Sequence, residues 1–130
     1  MGKKVLIVDD DPDIITFVVT VLEENGYISL MALNGEMGMT IIKAEKPDLI
    51  ILDILMPKQS GIKMYRDLKS DESLKKIPVI ILSGIAKRTF LRSQEALTAF
   101  GDEPVPEPDV YIEKPVEPEE LAETIKNVIG

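Results

Sequence analysis

The chain has 130 residues, 45 % hydrophobic and 29 % charged, the proportions of one folded domain with one core rather than of a disordered segment. A formal net charge of −8 with no basic stripe argues against direct nucleic-acid binding, and no apolar run approaches the ~20 residues of a membrane-spanning helix. Without cysteine or histidine, thiolate, disulfide and imidazole chemistry are excluded, so any chemistry must use carboxylates, hydroxyls and lysine; the missing cysteines fit a cytoplasmic protein.

The N-terminus has no signal-peptide pattern and leads directly into Val5-Leu6-Ile7-Val8, a continuous apolar run of strand length. Ile14, Val18, Val21 and Leu22 then recur at helical spacing, with Pro12 in the first turn and Asn25-Gly26 as the stop. Residues 27–31 alternate in polarity and predict a strand near a sheet edge. Met37, Ile41 and Ile42 mark a second helix closed before Pro47. Leu49-Ile50-Ile51-Leu52 is another strand. Ile62, Tyr65 and Leu68 mark a third helix opening near Ser60-Gly61. Val79-Ile80-Ile81-Leu82 is a further strand, followed by a helix carrying Phe90, Leu91, Ala96, Leu97 and Phe100 and ending at Gly101. Residues 102–109 place prolines at 104, 106 and 108, which forbid a helix and predict an extended, solvated connector. Val110-Tyr111-Ile112 is the last strand. Leu121, Ile125, Val128 and Ile129 form a final helix opening near Pro118, with Glu119 and Glu120 in its first turn.

Strands and helices thus alternate through the chain. The predicted fold is α/β, a three-layer sandwich with a doubly wound five-stranded parallel sheet between two helical layers, in one domain over residues 1–130.

Ligands of such sheets bind outside the carboxyl ends of the strands. Here the first strand runs into Asp9-Asp10-Asp11, the third into Asp53, the fourth into Ser83 and the fifth towards Lys114. Singly, each has an ordinary explanation: Asp11, before Pro12, suits the cap of the first helix, and Ser83-Gly84 suits a turn. Together they bring carboxylates, a hydroxyl and an ammonium to one edge. Asp9, Asp10 and Asp53 would repel one another in a desolvated cleft unless a divalent cation neutralised them, and hard oxygen donors match Mg²⁺. Lys114 and Ser83 could hold the remaining oxygens of a phosphoryl group, so the set suits phosphoryl transfer to a carboxylate.

These residues, in order, resemble the response-regulator receiver domain of two-component systems, of the chemotaxis-regulator kind. The resemblance is carried by Asp9-Asp10 after the first strand, Asp53 followed by Met56-Pro57 and Gly61, Ser83-Gly84, and Tyr111-Ile112-Glu113-Lys114-Pro115, and it extends over essentially the whole chain. It implies a flavodoxin-like sheet of strand order 2-1-3-4-5. It implies a phosphorelay switch rather than an enzyme, with Asp53 accepting a phosphoryl group from a histidine kinase or histidine phosphotransfer protein. It further implies that Asp9, Asp10, Asp53 and the Leu55 backbone carbonyl hold Mg²⁺, with Asp9 acting largely through water. Lys114 and Ser83 would contact the phosphoryl group, Tyr111 would swing inward once the Ser83 hydroxyl moves, and the Lys114-Pro115 bond would be cis. A downstream protein would then read the face made by helix 4, strand 5 and helix 5.

The chain departs from the family pattern at three places. Ser60 stands where many relatives carry Asp. Leu55 and Ile85, two residues after Asp53 and Ser83, are both apolar and unable to orient a hydrolytic water, which implies a long-lived aspartyl phosphate. The stretch from Ser83 to Lys114 is lengthened by the proline-rich segment. No output domain follows the last helix, leaving open a stand-alone regulator or a piece of a longer one. Two rival readings stand beside the receiver: a haloacid-dehalogenase-like phosphatase with Asp9 as nucleophile, and an interaction module that is not phosphorylated.

Overall fold

A computed structural model describes residues 2–56, 61–99, 101 and 103–130. Its elements follow in the order β1 Lys4–Val8, α1 Pro12–Glu24, β2 Ile28–Ala32, α2 Gly35–Glu45, β3 Leu49–Leu52, α3 Gly61–Ser70, β4 Val79–Ser83, α4 Lys87–Ala99, β5 Val110–Glu113 and α5 Pro118–Ile129. The strands pair in parallel as β2-β1-β3-β4-β5.

Continuous apolar strands arise because helices cover both faces of the sheet, so successive side chains are all buried on opposite sides. Val5, Ile7, Leu49, Ile51, Ile80 and Leu82 point to one layer, where they meet Val18 and Leu22 of α1 and Leu121 and Ile125 of α5. Leu6, Val8, Ile50, Leu52, Val79 and Ile81 point to the other, against Ile42 of α2, Met64, Tyr65 and Leu68 of α3, and Phe90 of α4. Burying each such side chain stabilises the fold by about 1.5–3 kcal/mol. The expected edge strand is β2, and its exposed Ile28 and Met31 reflect the missing neighbour.

Local chemistry sets the helix ends. Asp11 has extended backbone and accepts the Asp13 N–H at 2.9 Å, the cap expected of it; such a cap contributes ~1 kcal/mol. Asn34 does the same for α2 by accepting from the Met37 N–H. That helix stops at Glu45 because Lys46 takes a left-handed φ of 47° and Pro47 follows. The expected roles of Pro57, Ser60 and Phe100 fall outside the described residues. Among the described residues, no helix is long and apolar enough to cross a membrane.

The segment before β5 is more than a solvated connector. Residues 103, 104, 106, 107 and 109 are exposed, yet the segment is anchored along its length. The Tyr65 hydroxyl and the Arg66 guanidinium of α3 donate to the carbonyls of Pro106 and Glu103. Asp109 exchanges hydrogen bonds with Val79, accepting its N–H at 2.9 Å and donating to its carbonyl at 3.0 Å. Prolines have no N–H and cannot join the sheet, but their carbonyls remain acceptors that side chains can satisfy.

Candidate functional site

Parallel pairing aligns the carboxyl ends of the strands. Val8 lies beside Ala32 and Leu52, Leu52 beside Ile81, and Ser83 beside Glu113. The residues that follow are pinned by main-chain bonds: the Asp9 N–H donates to Ala32, the Asp53 N–H to Val8 and the Lys114 N–H to Ser83. The Lys114-Pro115 peptide is cis.

Asp9, Asp10 and Asp53 each offer a carboxylate oxygen, and these oxygens lie within 4.8 Å of one another. Asp10 is exposed, whereas Asp9 is 1 % and Asp53 5 % exposed. The Lys114 ammonium reaches into the same cluster, 3.1 Å from Asp9 Oδ2 and 3.7 Å from Asp53 Oδ2. The remaining oxygens have backbone donors: Asp9 Oδ1 accepts from the Asp11 N–H at 2.9 Å, and Asp53 Oδ1 from the Leu55 N–H at 3.1 Å. Burial pushes the Asp9 carboxyl above its ordinary value; the Asp53 charge adds to this, and the Asp11 N–H and Lys114 oppose it. Two nearly buried carboxylates beside a third form a donor set that fits a hard divalent cation, which would remove the penalty on ionised Asp9.

Ser83 is fully buried at the end of β4 and accepts the Ile85 N–H at 3.3 Å. Tyr111 of β5 is half-buried, and its hydroxyl donates to the Ile85 carbonyl at 2.6 Å. Its hydroxyl is pushed up to about 12, mainly by burial and further by the Glu113 charge, against a smaller opposing effect of Ser83. The Leu55 side chain is 58 % exposed and Ile85 packs on the core, so both flanking positions are apolar in place as well as in sequence.

In the sequence Gly61 stands out only as part of a motif, whereas the fold requires a glycine there. Any Cβ at this position would collide with the Asp53 carbonyl and the Ile54 Cα, while the Gly61 N–H donates to Ile54 at 3.2 Å. The first turn of α3 thus seats directly on the backbone bearing Asp53. Tyr65 and Phe90 were legible only as apolar helix positions. They form an edge-to-face pair at 5.7 Å, and Phe90 in turn lies 5.5 Å from Tyr111.

Comparisons with known proteins converge on one family. The family pattern described as the response regulator receiver domain matches residues 5–126. The chain is similar to the phosphate regulon transcriptional regulatory protein PhoB of Pseudomonas aeruginosa, with 38 % identity across 99 % of this chain but 52 % of that protein. It therefore spans about half the length of that relative. It is also similar to the polar-differentiation response regulator DivK of Brucella anthropi, with 32 % identity over 100 % of this chain and 98 % of DivK. Among solved structures, the chemotaxis response regulator CheY4 of Vibrio cholerae superposes with a TM-score of 0.82 at 25 % identity, covering 98 % of this chain and 99 % of CheY4.

Proposed function

The chain belongs to the response regulator receiver domain family, and from that premise we propose how its own residues operate the switch. Receiver domains are phosphoacceptor signalling switches of two-component systems rather than enzymes, and response regulators interact with histidine kinases or phosphotransfer proteins. Nothing in the comparisons favours the phosphatase alternative built on Asp9.

In our reading residues 1–130 form one receiver domain acting in the cytoplasm, and Asp53 is the phosphoacceptor. A carboxylate oxygen of Asp53 attacks the phosphorus of a partner's phosphohistidine; the P–O bond forms as the P–N bond breaks, and the imidazole leaves. Asp9, Asp10, Asp53 and the Leu55 carbonyl would hold Mg²⁺, which when bound supplies positive charge against the phosphoryl oxygens. The Lys114 ammonium, already beside Asp53, exchanges its contact with Asp9 for one with the phosphoryl group. The Ser83 hydroxyl turns to donate to a phosphoryl oxygen, which loosens the Ser83–Ile85 turn. Tyr111 then gives up the Ile85 carbonyl and moves inward. The phosphorylated state is selected by contacts that only it can make, and the α4–β5–α5 face changes with it.

The convergence of Lys114 on both Asp9 and Asp53 carries this reading, because an ammonium poised between two buried carboxylates is already where a phosphate would need a counter-charge. Incubation with acetyl phosphate and Mg²⁺, followed by intact mass, tests it. The wild type should gain one phosphate and Asp53→Asn should gain none. An equal adduct on both proteins would remove Asp53 from the role.

A further inference from the structure

The proline-rich segment is tied to the candidate site by a continuous physical path. Tyr111 rests on Phe90 with ring centroids 5.5 Å apart, and Phe90 meets Tyr65 at 5.7 Å and 76°. Tyr65 and Phe90 are 0 % and 1 % exposed, and the Tyr65 hydroxyl donates to the Pro106 carbonyl. One end of the path is the Ile85 carbonyl, two residues beyond Ser83; the other is the middle of the exposed segment.

We propose that residues 103–109 are a second readout element, coupled to the site through the Tyr111–Phe90–Tyr65 ring column. The proposal rests on the reading of Tyr111 as the moving aromatic. Tyr65 and Phe90 sit in a close-packed core, where one ring cannot be displaced without the next adjusting. Tyr111 is half-buried at the edge of this core and its hydroxyl is held by the Ile85 carbonyl beside Ser83, so it is the end at which displacement enters. At the far end, the prolines at 104, 106 and 108 stiffen the backbone, so a shift at Pro106 is passed along the segment rather than absorbed. Arg66 adds a second tie between the same parts. Its guanidinium donates to Gln94 Oε1 of α4 at 2.5 Å and to the Glu103 carbonyl, joining α3, α4 and the start of the segment. Tyr65 is therefore a positioning residue: it touches neither the carboxylates nor the phosphate, and its hydroxyl decides where Pro106 sits.

The test follows backbone amide resonances of Val105, Glu107 and Gly84 as beryllofluoride and Mg²⁺ are added, in wild type and Tyr65→Phe. The wild type should show all three moving together. In Tyr65→Phe, Gly84 should still move, while the responses of Val105 and Glu107 fall by about half or more. Phe90→Leu, which removes the middle ring, should do the same. Movement of Gly84 with Val105 and Glu107 stationary in the wild type would overturn the coupling, as would undiminished loop responses in Tyr65→Phe. A silent Gly84 in the wild type would overturn the switch reading and the coupling with it.

Discussion

Lys114 lies closer to Asp9 than to Asp53: its ammonium is 3.1 Å from Asp9 Oδ2 and 3.7 Å from Asp53 Oδ2. Asp9 is nearly devoid of solvent, so this lysine is its principal counter-charge until a cation binds. Lys114→Met should therefore destabilise the metal-free protein by about 1–3 kcal/mol, the cost of a buried charged group left without its partner. Urea melts with and without Mg²⁺ check this, and the cation should recover most of the loss. Identical midpoints for wild type and variant in chelator would show that the pair contributes nothing.

Asp9 also predicts a pH dependence. Burial raises its folded-state pKa above the unfolded value, so the protonated form is favoured on folding. The resulting stabilisation is fully present below the ordinary carboxylate value and is lost as pH rises through the raised value. The metal-free protein should thus lose stability on going from acid towards neutral pH as far as Asp9 is concerned, and Asp9→Asn should flatten that slope. Mg²⁺ favours the ionised form and should oppose the loss. Equal slopes for wild type and Asp9→Asn would remove Asp9 as the origin.

Gly61→Ala should act on Asp53 from a distance in sequence. The added Cβ would run into the Asp53 carbonyl, which is backbone and cannot swing aside. A destabilisation of about 1–3 kcal/mol is expected from such overpacking, together with slower phosphorylation by acetyl phosphate. Midpoints of denaturation and initial rates of adduct formation read the two effects. An unchanged rate in a destabilised variant would mean that the strain is relieved through α3 rather than through Asp53.

Leu55 and Ile85 bear on the life of the phosphorylated state. Leu55 is exposed and Ile85 is packed on the core, and neither side chain can hold a water in line with an aspartyl phosphate. Label should be lost slowly from purified phosphoprotein, and Leu55→Asn should speed the loss by roughly tenfold, below the usual range for a positioned proton-transfer group. Equally rapid loss from both proteins would place the hydrolytic water elsewhere.

The sheet was largely legible in the sequence because Val5–Val8, Leu49–Leu52 and Val79–Leu82 are buried on both faces and must be continuously apolar. Their order along the chain, with strand ends carrying Asp9, Asp53 and Ser83, placed the polar cluster at one edge. The Asp11 cap was equally local and equally readable. What was not readable depends on contacts between distant parts of the chain. The Tyr65 hydroxyl finds its partner 41 residues later, and Arg66 finds Gln94 28 residues later, through packing that no spacing rule encodes. Read as a helix position, Tyr65 announces only that it is apolar enough to be buried. The proline pattern likewise announced an extended segment but not its anchors. Gly61 could have been singled out by the need for a residue without Cβ at a helix start, but only the structure supplies the backbone it would strike.

The central claim is that one carboxylate, Asp53, carries the phosphate while its acidic neighbours serve the cation. Borohydride reduction of the protein after treatment with acetyl phosphate and Mg²⁺ converts an aspartyl phosphate to homoserine, and peptide mass spectrometry then locates it. Homoserine at position 53, abolished when Mg²⁺ is chelated, is the predicted result. Homoserine at Asp9 or Asp10 with Asp53 intact would contradict the account.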